Sequence, residues 1–241
     1  MKRVIYMACC AALCMLNMGC EKDDGSVLPQ IKPEATGTFT DADGTEYPWV
    51  RYNGLDWMAA NYKGGTPYYE ITDEWGFALF AATEEAIANV ETYGNLYSYD
   101  DAVNLAPEGW RLPTDEDWQK LEQAMGMDAA TTGQIGWRGT PAGELLQQDE
   151  SGSGMHMLLS GCISLQASSM VSLTFRYLHV FGYYWSSTLE ETSAEGRVAY
   201  YRRIGTIHSG VERNLTLTEE QAYSNSTNNR YMSVRYVRDA Q

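Results

Sequence analysis

The positions of the cysteines constrain the fold of this chain more than any other feature. Four of the five lie within the first twenty residues, and Cys162 is the only one beyond them. A domain folded from the rest of the chain therefore has no pair of cysteines with which to form an internal disulfide. Its core has to be held by packing, and a hydrophobic fraction of 44% with 17 Tyr and 7 Trp supplies the material. We expect one domain of average size.

The charge of the chain restricts its partners. It carries 17 Lys and Arg against 32 Asp and Glu, a formal net charge of -15, and it has no tract rich in Lys or Arg. Nucleic acid is excluded as an expected partner, because binding to its phosphates requires clustered cations. Other polyanions are disfavoured for the same reason.

The N-terminus is typical of an exported protein. A short basic start is followed by the apolar stretch Val4–Leu16, which has the length of a signal-peptide core and is too short to span a bilayer. Cys20 after Gly19 resembles the lipobox of bacterial lipoproteins, although Asn17 stands where Leu is usual. We expect residues 1–19 to be a lipoprotein signal peptide and Cys20 to be lipidated. An ordinary signal peptide with a coincidental cysteine is the alternative.

The residues after Cys20 indicate where the protein is displayed. The run Glu21-Lys22-Asp23-Asp24 resembles the surface-export signal of Bacteroidota lipoproteins, and a solvated tether is the alternative interpretation. Residues 20–37 contain two prolines and few apolar residues, which predicts a flexible stalk before a folded domain at 38–241. We therefore expect an outer-membrane lipoprotein, attached through the lipid on Cys20 and facing the cell exterior.

A β-hairpin is predicted at the start of the domain. Strand-forming residues in Glu46–Tyr52 and Leu55–Ala59 are joined by Asn53-Gly54, the strongest hairpin dipeptide. The acidic turn before it, with Asp41 and Asp43, is also conceivable as a calcium loop together with Glu46, but it lacks the spacing of an EF-hand and turn chemistry explains it. We expect no metal site and no cofactor.

Two short helices are predicted in the first half of the domain. Apolar spacing favours one within Tyr97–Leu105 and a second over Thr114–Met125, which begins at a capping residue. Glu84–Val90 is a weak helix or a loop. From Gly133 onward Gly, Ser and Thr are dense and helical spacing disappears, so loops and strands are expected. The pattern predicts an α+β fold.

Seven short motifs follow one another through the domain in a fixed order. They are Asp43-Gly44-x-x-Tyr47, Leu55-Asp56-Trp57-Met58-Ala59-Ala60-Asn61-Tyr62, Tyr93-Gly94-Asn95-Leu96-Tyr97, Pro107-Glu108-Gly109-Trp110-Arg111-Leu112-Pro113-Thr114 with Trp118 and Leu121, Ala142-Gly143-x-Leu145, Tyr184-Trp185-Ser186-Ser187 and Ser233-Val234-Arg235-Tyr236-Val237-Arg238-Asp239. This series resembles the Fibrobacter succinogenes major paralogous domain, which is similar to the C-type lectin-like fold shared with formylglycine-generating enzymes. The resemblance implies small antiparallel sheets, long loops and a first strand paired with the last. It implies no activity.

The resemblance also carries expectations about single residues. Many members have a cysteine where this chain has Leu105 or Ala106 and another where it has Tyr236, so the disulfide of those members is absent and packing must replace it. The tryptophans within the motifs are expected to be structural anchors of the core, since large aromatic side chains dominate core burial. They are Trp57, Trp110, Trp118 and Trp185.

The second half of the domain contains the candidate ligand-binding residues. At Trp185-Ser186-Ser187 the chain lacks the carboxylates and amides with which calcium-dependent lectins hold their metal. An aromatic platform that binds ligand without calcium remains as an interpretation, since Tyr and Arg are favoured at binding surfaces. Its candidates are Tyr183, Tyr201, Arg203, His208 and Arg213. Alternatively, Tyr200 and Tyr201 simply alternate between two faces of a strand. We place the binding surface mainly within residues 196–230.

Catalysis is not expected. The chain contains no nucleophile elbow, zinc-protease motif, phosphate loop or paired-cysteine motif. Cys162 with His156, His179 or His208 would be a thiol nucleophile and base, but a lone cysteine is more often a small buried hydrophobe, and formylglycine-generating relatives need two thiols. The expected function is a binding or adhesion module for glycan or protein. The alternatives are a structural surface or fimbria-associated component and, last, an enzyme related to the formylglycine-generating proteins.

Overall fold

The computed structural model describes residues 27–73, 75–166, 172–190, 196–218 and 227–241. The expectations for the signal peptide, for Cys20 and for the first part of the stalk lie outside these residues. So does the stretch 219–226 within the segment in which we placed the binding surface.

The helices of the described residues are short and most of the strands lie in the second half. The helices are α1 (Glu84–Tyr93), α2 (Tyr99–Asn104), α3 (Asp115–Ala124), α4 (Ala129–Thr132) and α5 (Ala142–Gln147), with a 3-10 turn at Tyr68–Glu70. The strands are β1 (Thr36–Thr40), β2 (Glu46–Tyr52), β3 (Leu55–Met58), β4 (Gly136–Arg138), β5 (Ser160–Gln166), β6 (Ser172–Leu178), β7 (Phe181–Glu190), β8 (Val198–Gly205), β9 (Val211–Leu217), β10 (Thr227–Tyr231) and β11 (Val237–Asp239). The expectation of an α+β fold is confirmed.

The first sheet has the order β1-β2-β3-β11 and is antiparallel throughout. Its hairpin turns at Asn53 and Gly54, whose φ angles of 49° and 76° are those of the turn that this dipeptide favours. The expected pairing of the first strand with the last is wrong. β1 pairs only with β2, so β11 pairs along the free edge of β3, with Val237 opposite Trp57.

The second sheet has seven strands in the order β10-β5-β7-β8-β9-β4, with β6 paired to β5. Its pairings are antiparallel except for the contact of β5 with β7, where Gly161 lies opposite Gly182. The sheet is larger than the small sheets expected. It forms because β8 is long enough, at eight residues, to pair along β7 on one side and β9 on the other.

The number of helices was also underestimated. α1 is a complete helix of ten residues, capped by the Thr83 hydroxyl, which accepts a hydrogen bond from the Ala86 amide at 3.1 Å. α5 lies beyond Gly133, where we expected no helix; its six residues are too few to show helical periodicity in the sequence. The backbone of α5 is held from outside, as the Gly143 amide donates to the Ser209 carbonyl at 2.8 Å.

The four tryptophans of the motifs are all buried. Trp57 and Trp118 contact each other with ring centroids 4.9 Å apart. The Trp118 indole donates to the Trp185 carbonyl at 3.2 Å, and the Trp185 indole donates to the Tyr97 carbonyl at 2.8 Å. These contacts join α3, β3 and β7 into one core. Trp110 lies under the guanidinium of Arg238 at 4.6 Å.

The residues just before β1 contact the domain. Leu28 and Ile31 pack against the hydrophobic core, and the Glu34 carboxylate accepts a hydrogen bond from the Asn53 amide at 2.8 Å. β1 itself begins at Thr36. The folded unit thus includes residues that we expected in the flexible stalk.

None of the helices in the described ranges is long and apolar enough to cross a membrane.

Candidate functional site

Four neighbouring strands place a row of large side chains across one face of the second sheet. In the register of the sheet, Trp137 of β4 lies opposite Glu212 of β9, Glu212 opposite Arg203 of β8, and Arg203 opposite Tyr183 of β7. Residues opposite each other on adjacent strands share a face. Phe181 lies on the same face as Tyr183, two residues away, because side chains alternate along a strand.

Arg203 is the centre of this row. Its guanidinium lies 5.1 Å from the ring centroid of Trp137, 4.6 Å from that of Phe181 and 5.5 Å from that of Tyr183. His208 stacks on Trp137 with ring centroids 4.2 Å apart. We call Trp137, Tyr177, Phe181, Arg203 and His208 the aromatic–arginine surface.

A glycine makes room for this arrangement. Phe181 pairs with Gly205 in the register, and a Cβ atom at Gly205 would collide with the Phe181 ring. The bare backbone at this position lets the ring lie flat over β8, where it covers the guanidinium of Arg203. Any side chain at position 205 would therefore displace the Phe181 ring.

The charge of Arg203 is compensated within the site. Arg203 forms an ion pair with Glu212 and donates a hydrogen bond to the Tyr183 hydroxyl at 3.1 Å. Burial acts to lower the pKa of Arg203, but Tyr183 and Glu212 outweigh it and raise that pKa. The guanidinium thus stays charged, and Glu212 neutralises it. The surface presents rings and N–H donors without a net positive charge.

Part of the aromatic–arginine surface is open to solvent. His208 is exposed, Tyr177 is 41% exposed, and Trp137 and Arg203 are partly exposed, whereas Phe181 is buried and supports Arg203 from within. Ile207, next to His208, is 67% exposed and Ile135, two residues before Trp137, is 53% exposed. Exposed aromatic and aliphatic side chains that lie together are a mark of interaction sites.

Backbone strain occurs at the same end of the sheet. Tyr177, near the end of β6, and His179, in the connection from β6 to β7, adopt positive φ angles of 66° and 62°. Such angles are costly for bulky residues and tend to concentrate at functional sites. The strain positions the Tyr177 ring 5.7 Å from Phe181, and the His179 Nδ1 lies 3.1 Å from the Tyr93 hydroxyl.

The structure separates the five residues expected to bind ligand. Arg203 and His208 belong to the aromatic–arginine surface, whereas Tyr183, Tyr201 and Arg213 are buried. Tyr183 and Tyr201 pack beneath the surface with ring centroids 6.0 Å apart, so they support it instead of forming it. The burial of Tyr201 follows from strand alternation, since Tyr200 on the other face is partly exposed, whereas Tyr183 and its neighbour Tyr184 are both buried.

Sequence reasoning missed Trp137, Tyr177 and Phe181. Trp137 is an isolated aromatic residue, and Tyr177 and Phe181 stand just before the motif that begins at Tyr184 without belonging to it. Strand pairing brings them close to Arg203, although Trp137 and Arg203 are 66 positions apart in the sequence. A local sequence pattern does not reveal such pairing. A strand assignment with its register would have been needed to find them.

Arg213 belongs to a different structure, a buried ionic cluster on the opposite face of β8 and β9. The cluster contains two carboxylates from α3 and three guanidinium groups from the sheet, namely Asp115, Glu122, Arg138, Arg202 and Arg213. Arg202 contacts Asp115 at 2.7 Å and Glu122 at 2.6 Å, and Arg213 contacts Asp115 at 2.8 Å. The cluster ties α3 to the strands that carry the aromatic–arginine surface.

The candidate thiol site has the wrong environment for catalysis. Cys162 is completely buried, and burial raises the pKa of its thiol to about 11. A buried thiol with a raised pKa is almost entirely protonated at neutral pH and is a poor nucleophile. His156, His179 and His208 are all exposed. The geometry therefore favours a packing role for Cys162.

The acidic turn is explained by local hydrogen bonds. One carboxylate oxygen of Asp41 accepts from the amides of Asp43 and Thr45 at 3.0 Å and 2.9 Å. Among the residues that the structure describes, no group of three or more His, Cys, Asp and Glu side chains is placed to hold a metal ion.

A shallow groove lies elsewhere on the domain. Its volume is about 300 Å³, and its lining includes Val103, Trp110, Leu112 and Ser187. A groove of this size is at the lower limit for a small-molecule site, and such sites need convergent polar groups. The lining also carries Arg111 and Thr114, but the groove is small and open, so the aromatic–arginine surface is the better candidate.

Comparison with known proteins agrees with the motif series. The profile of the Fibrobacter succinogenes major domain matches residues 50–238. A search of curated proteins and a search of solved structures each give no significant match.

Proposed function

The chain belongs to the Fibrobacter succinogenes major domain family, and on that premise we propose that it is a non-enzymatic binding module of C-type lectin-like fold. Its ligand contacts the aromatic–arginine surface. The observation that carries this proposal is the stack of His208, Trp137, Arg203 and Phe181, which stands partly open to solvent at the end of a seven-stranded sheet. Rigid elements that hold exposed aromatic and arginine side chains in place suit recognition.

The chemistry of the surface favours a neutral glycan. The exposed His208 ring, which is stacked on Trp137, offers its outer face to the apolar face of a sugar ring, and Arg203 supplies N–H donors for hydroxyl groups. Glu212 neutralises Arg203, and the whole chain has a formal charge of -15, so an acidic ligand gains little attraction here.

The lectin-like fold is supported by the architecture of the domain. The first and last strands lie in one sheet, at its two edges, so both ends of the domain come to the same side. A second sheet and long connections such as 59–83 complete an α+β unit of this kind.

A glycan array with the soluble chain tests the proposal. We expect binding of neutral glycans, and we expect Trp137→Ala combined with His208→Ala to weaken it at least about tenfold, as for a central aromatic contact. Trp137 packs partly against the hydrophobic core and His208 is exposed, so the double variant should melt somewhat below the parent but remain folded at the assay temperature.

Trp75→Ala is the matched control, because Trp75 is also exposed but lies outside this surface. Glycan binding by the double variant at the strength of the parent would show that the surface is not the site. Lack of any glycan hit, together with recovery of one stoichiometric protein from outer-membrane extract, would favour the structural or fimbria-associated role.

We also propose that the protein is a lipoprotein of the outer membrane that faces the cell exterior. The apolar stretch Val4–Leu16, the Gly19-Cys20 junction and the acidic run after it support this. An anchor with several acyl chains holds a protein stably in a bilayer. Attachment is hydrophobic, since the chain is acidic.

Replacement of Cys20 by alanine should release the protein from the membrane fraction, because no acyl chain can then be attached. Fractionation of cells that express the parent and the variant, with surface proteolysis of intact cells for the parent, measures both anchoring and orientation. A Cys20→Ala protein that stays in the membrane fraction and binds detergent micelles like the parent would disprove the anchor.

A further inference from the structure

A second exposed aromatic feature lies far along the chain from the aromatic–arginine surface. Residues 71–73 and 75–79 form a tight turn in which Thr72 bridges Ala78 and the Leu79 amide donates to the Ile71 carbonyl at 2.9 Å. We call residues 71–73 and 75–79 the aromatic turn, because Trp75 and Phe77 stand on either side of Gly76 at its tip.

The backbone of the aromatic turn is fixed by one side chain. The Asp73 carboxylate accepts hydrogen bonds from the amides of Trp75 at 3.0 Å and Phe77 at 2.8 Å. The Asp73 amide donates to the Phe77 carbonyl at 2.8 Å. The Asp73 carboxylate thus takes the place of a backbone acceptor and holds the tip in one conformation.

The base of the aromatic turn is anchored in the domain. Ile71 and Phe80 pack against a buried cluster, and the Phe80 ring lies 5.8 Å from Tyr68 and 6.3 Å from Tyr231. The tip is thereby held on a base that packs into the domain.

The rings at the tip face solvent. Trp75 is 75% exposed and Phe77 is 70% exposed, which together leaves about 300 Å² of aromatic surface in water. A patch of this size on a well-formed turn is characteristic of an interaction site. A Cβ atom added at Gly76 would meet no atom within 4 Å, so the tip is open for a partner to approach.

Charge identifies the kind of partner. The segment 64–110, which contains the aromatic turn, has nine acidic residues and no Lys, Arg or His. They are Glu70, Asp73, Glu74, Glu84, Glu85, Glu91, Asp100, Asp101 and Glu108. Aromatic faces attract cations. The carboxylates of Glu70 and Asp73 beside the rings, and of Glu84 and Glu85 at the start of α1, which packs in the same cluster as Phe80, strengthen that attraction and repel anionic lipids and acidic glycans.

We propose that the aromatic turn is the docking surface for a basic polypeptide, whose Lys or Arg side chains lie on the rings of Trp75 and Phe77 within this acidic surrounding. The proposal goes beyond glycan binding and concerns a separate surface of the domain. It gives the protein two recognition surfaces of different chemistry, one neutral and one that selects positive charge.

The test uses the full chain in a nonionic detergent and an amidated octa-arginine peptide as the probe, with affinity measured by titration calorimetry. We expect Trp75→Ala combined with Phe77→Ala to weaken binding by about tenfold, the effect of two cation–π contacts. This variant leaves every charge in place, so non-specific attraction of the peptide to an acidic protein is unchanged. Glu84→Gln combined with Glu85→Gln should weaken binding as well, and more so at low salt.

Trp137→Ala is the control and should bind the peptide like the parent. Equal affinity of the parent and the Trp75→Ala/Phe77→Ala variant would overturn the proposal. The proposal would also be overturned if that variant no longer bound phosphatidylcholine vesicles or glycans but still bound the peptide. A melting temperature equal to that of the parent confirms that the loss arises from the rings and not from unfolding.

Discussion

Replacement of Arg235 by methionine is expected to destabilise the domain by about 3–5 kcal/mol, because several buried acceptors lose their donor at a cost of about 1–3 kcal/mol each before the structure relaxes. The Arg235 side chain is completely buried. It donates to the Asn61 amide oxygen at 2.6 Å and to the carbonyls of Met58, Met155 and His156 at 3.0, 2.8 and 2.6 Å. Methionine fills a similar volume but donates nothing, so these acceptors lose their charged donor.

Urea unfolding followed by tryptophan fluorescence measures the effect. Arg197→Met is the matched control, since Arg197 is partly exposed and forms an ion pair with the exposed Asp100, which should contribute at most about 1 kcal/mol. Arg235→Lys should also be strongly destabilising, because an ammonium group cannot reach acceptors arranged around a planar guanidinium. If Arg235→Met unfolds at the same urea concentration as Arg197→Met, the guanidinium does not hold these segments together.

The interactions of Arg235 explain two of the sequence motifs. Asn61 uses its amide oxygen to accept from Arg235 and its amide nitrogen to donate to the Tyr93 carbonyl at 2.7 Å. Burial lowers the pKa of Arg235 to about 10, which is still high enough to keep it charged at neutral pH. The two residues join the segment after β3 to the segment before β11. The motifs therefore describe contacts within the frame of the domain, and the aromatic–arginine surface lies outside them.

Features with a local cause could be predicted from the sequence. The turn at Asn53-Gly54 forms because both residues tolerate positive φ angles. Helix α3 begins within one residue of its predicted start, because Thr114 and Asp117 form a capping box. Burial of Trp118 follows from its position on the apolar face of that helix.

Features that depend on strand order could not be predicted. The last strand pairs with β3 and not with the first strand because β1 occupies the other edge of the hairpin, and nothing in the sequence of β1 indicates that position. The row of Trp137, Glu212 and Arg203 exists only in one register of three strands. A slip of one residue would move each side chain to the other face.

The buried ionic cluster shows a third limit of prediction from the sequence. Asp115 lies in the first turn of α3, where a carboxylate normally faces water and interacts favourably with the helix dipole. In the structure it is buried and contacts Arg202 and Arg213. Charged residues are rarely buried unless paired, and the pairing partners lie 87 and 98 residues away. The capping pattern of α3 therefore predicts the position of Asp115 in the helix, but it does not predict that the carboxylate is buried among arginines.

Asp115→Asn is the second substitution with a large expected effect. It keeps the size of the side chain but leaves three guanidinium groups with only the carboxylate of Glu122. We expect a loss of about 3–5 kcal/mol at neutral pH, since an uncompensated charge remains buried. Asp100→Asn, which removes the acid of an exposed ion pair, is the control and should change stability by at most about 1 kcal/mol. Urea unfolding at pH 7 measures both.

The pH dependence separates the charge of Asp115 from its packing. Burial acts to raise the pKa of Asp115, but hydrogen bonds from Arg213 and the charge of Arg202 outweigh it and lower that pKa to about 2 from its ordinary 3.8. Because the unfolded chain binds this proton first as the pH falls, the stabilisation is complete above about pH 4 and is lost towards pH 2, a decline of about 2 kcal/mol. The Asp115→Asn variant should lack the decline in stability that is due to Asp115. The decline due to Asp117 should remain, because burial acts to raise the pKa of Asp117 but Arg111 and Thr114 outweigh it and lower that pKa. Parallel stability curves of the parent and Asp115→Asn between pH 5 and pH 2 would show that Asp115 stabilises the domain without its charge.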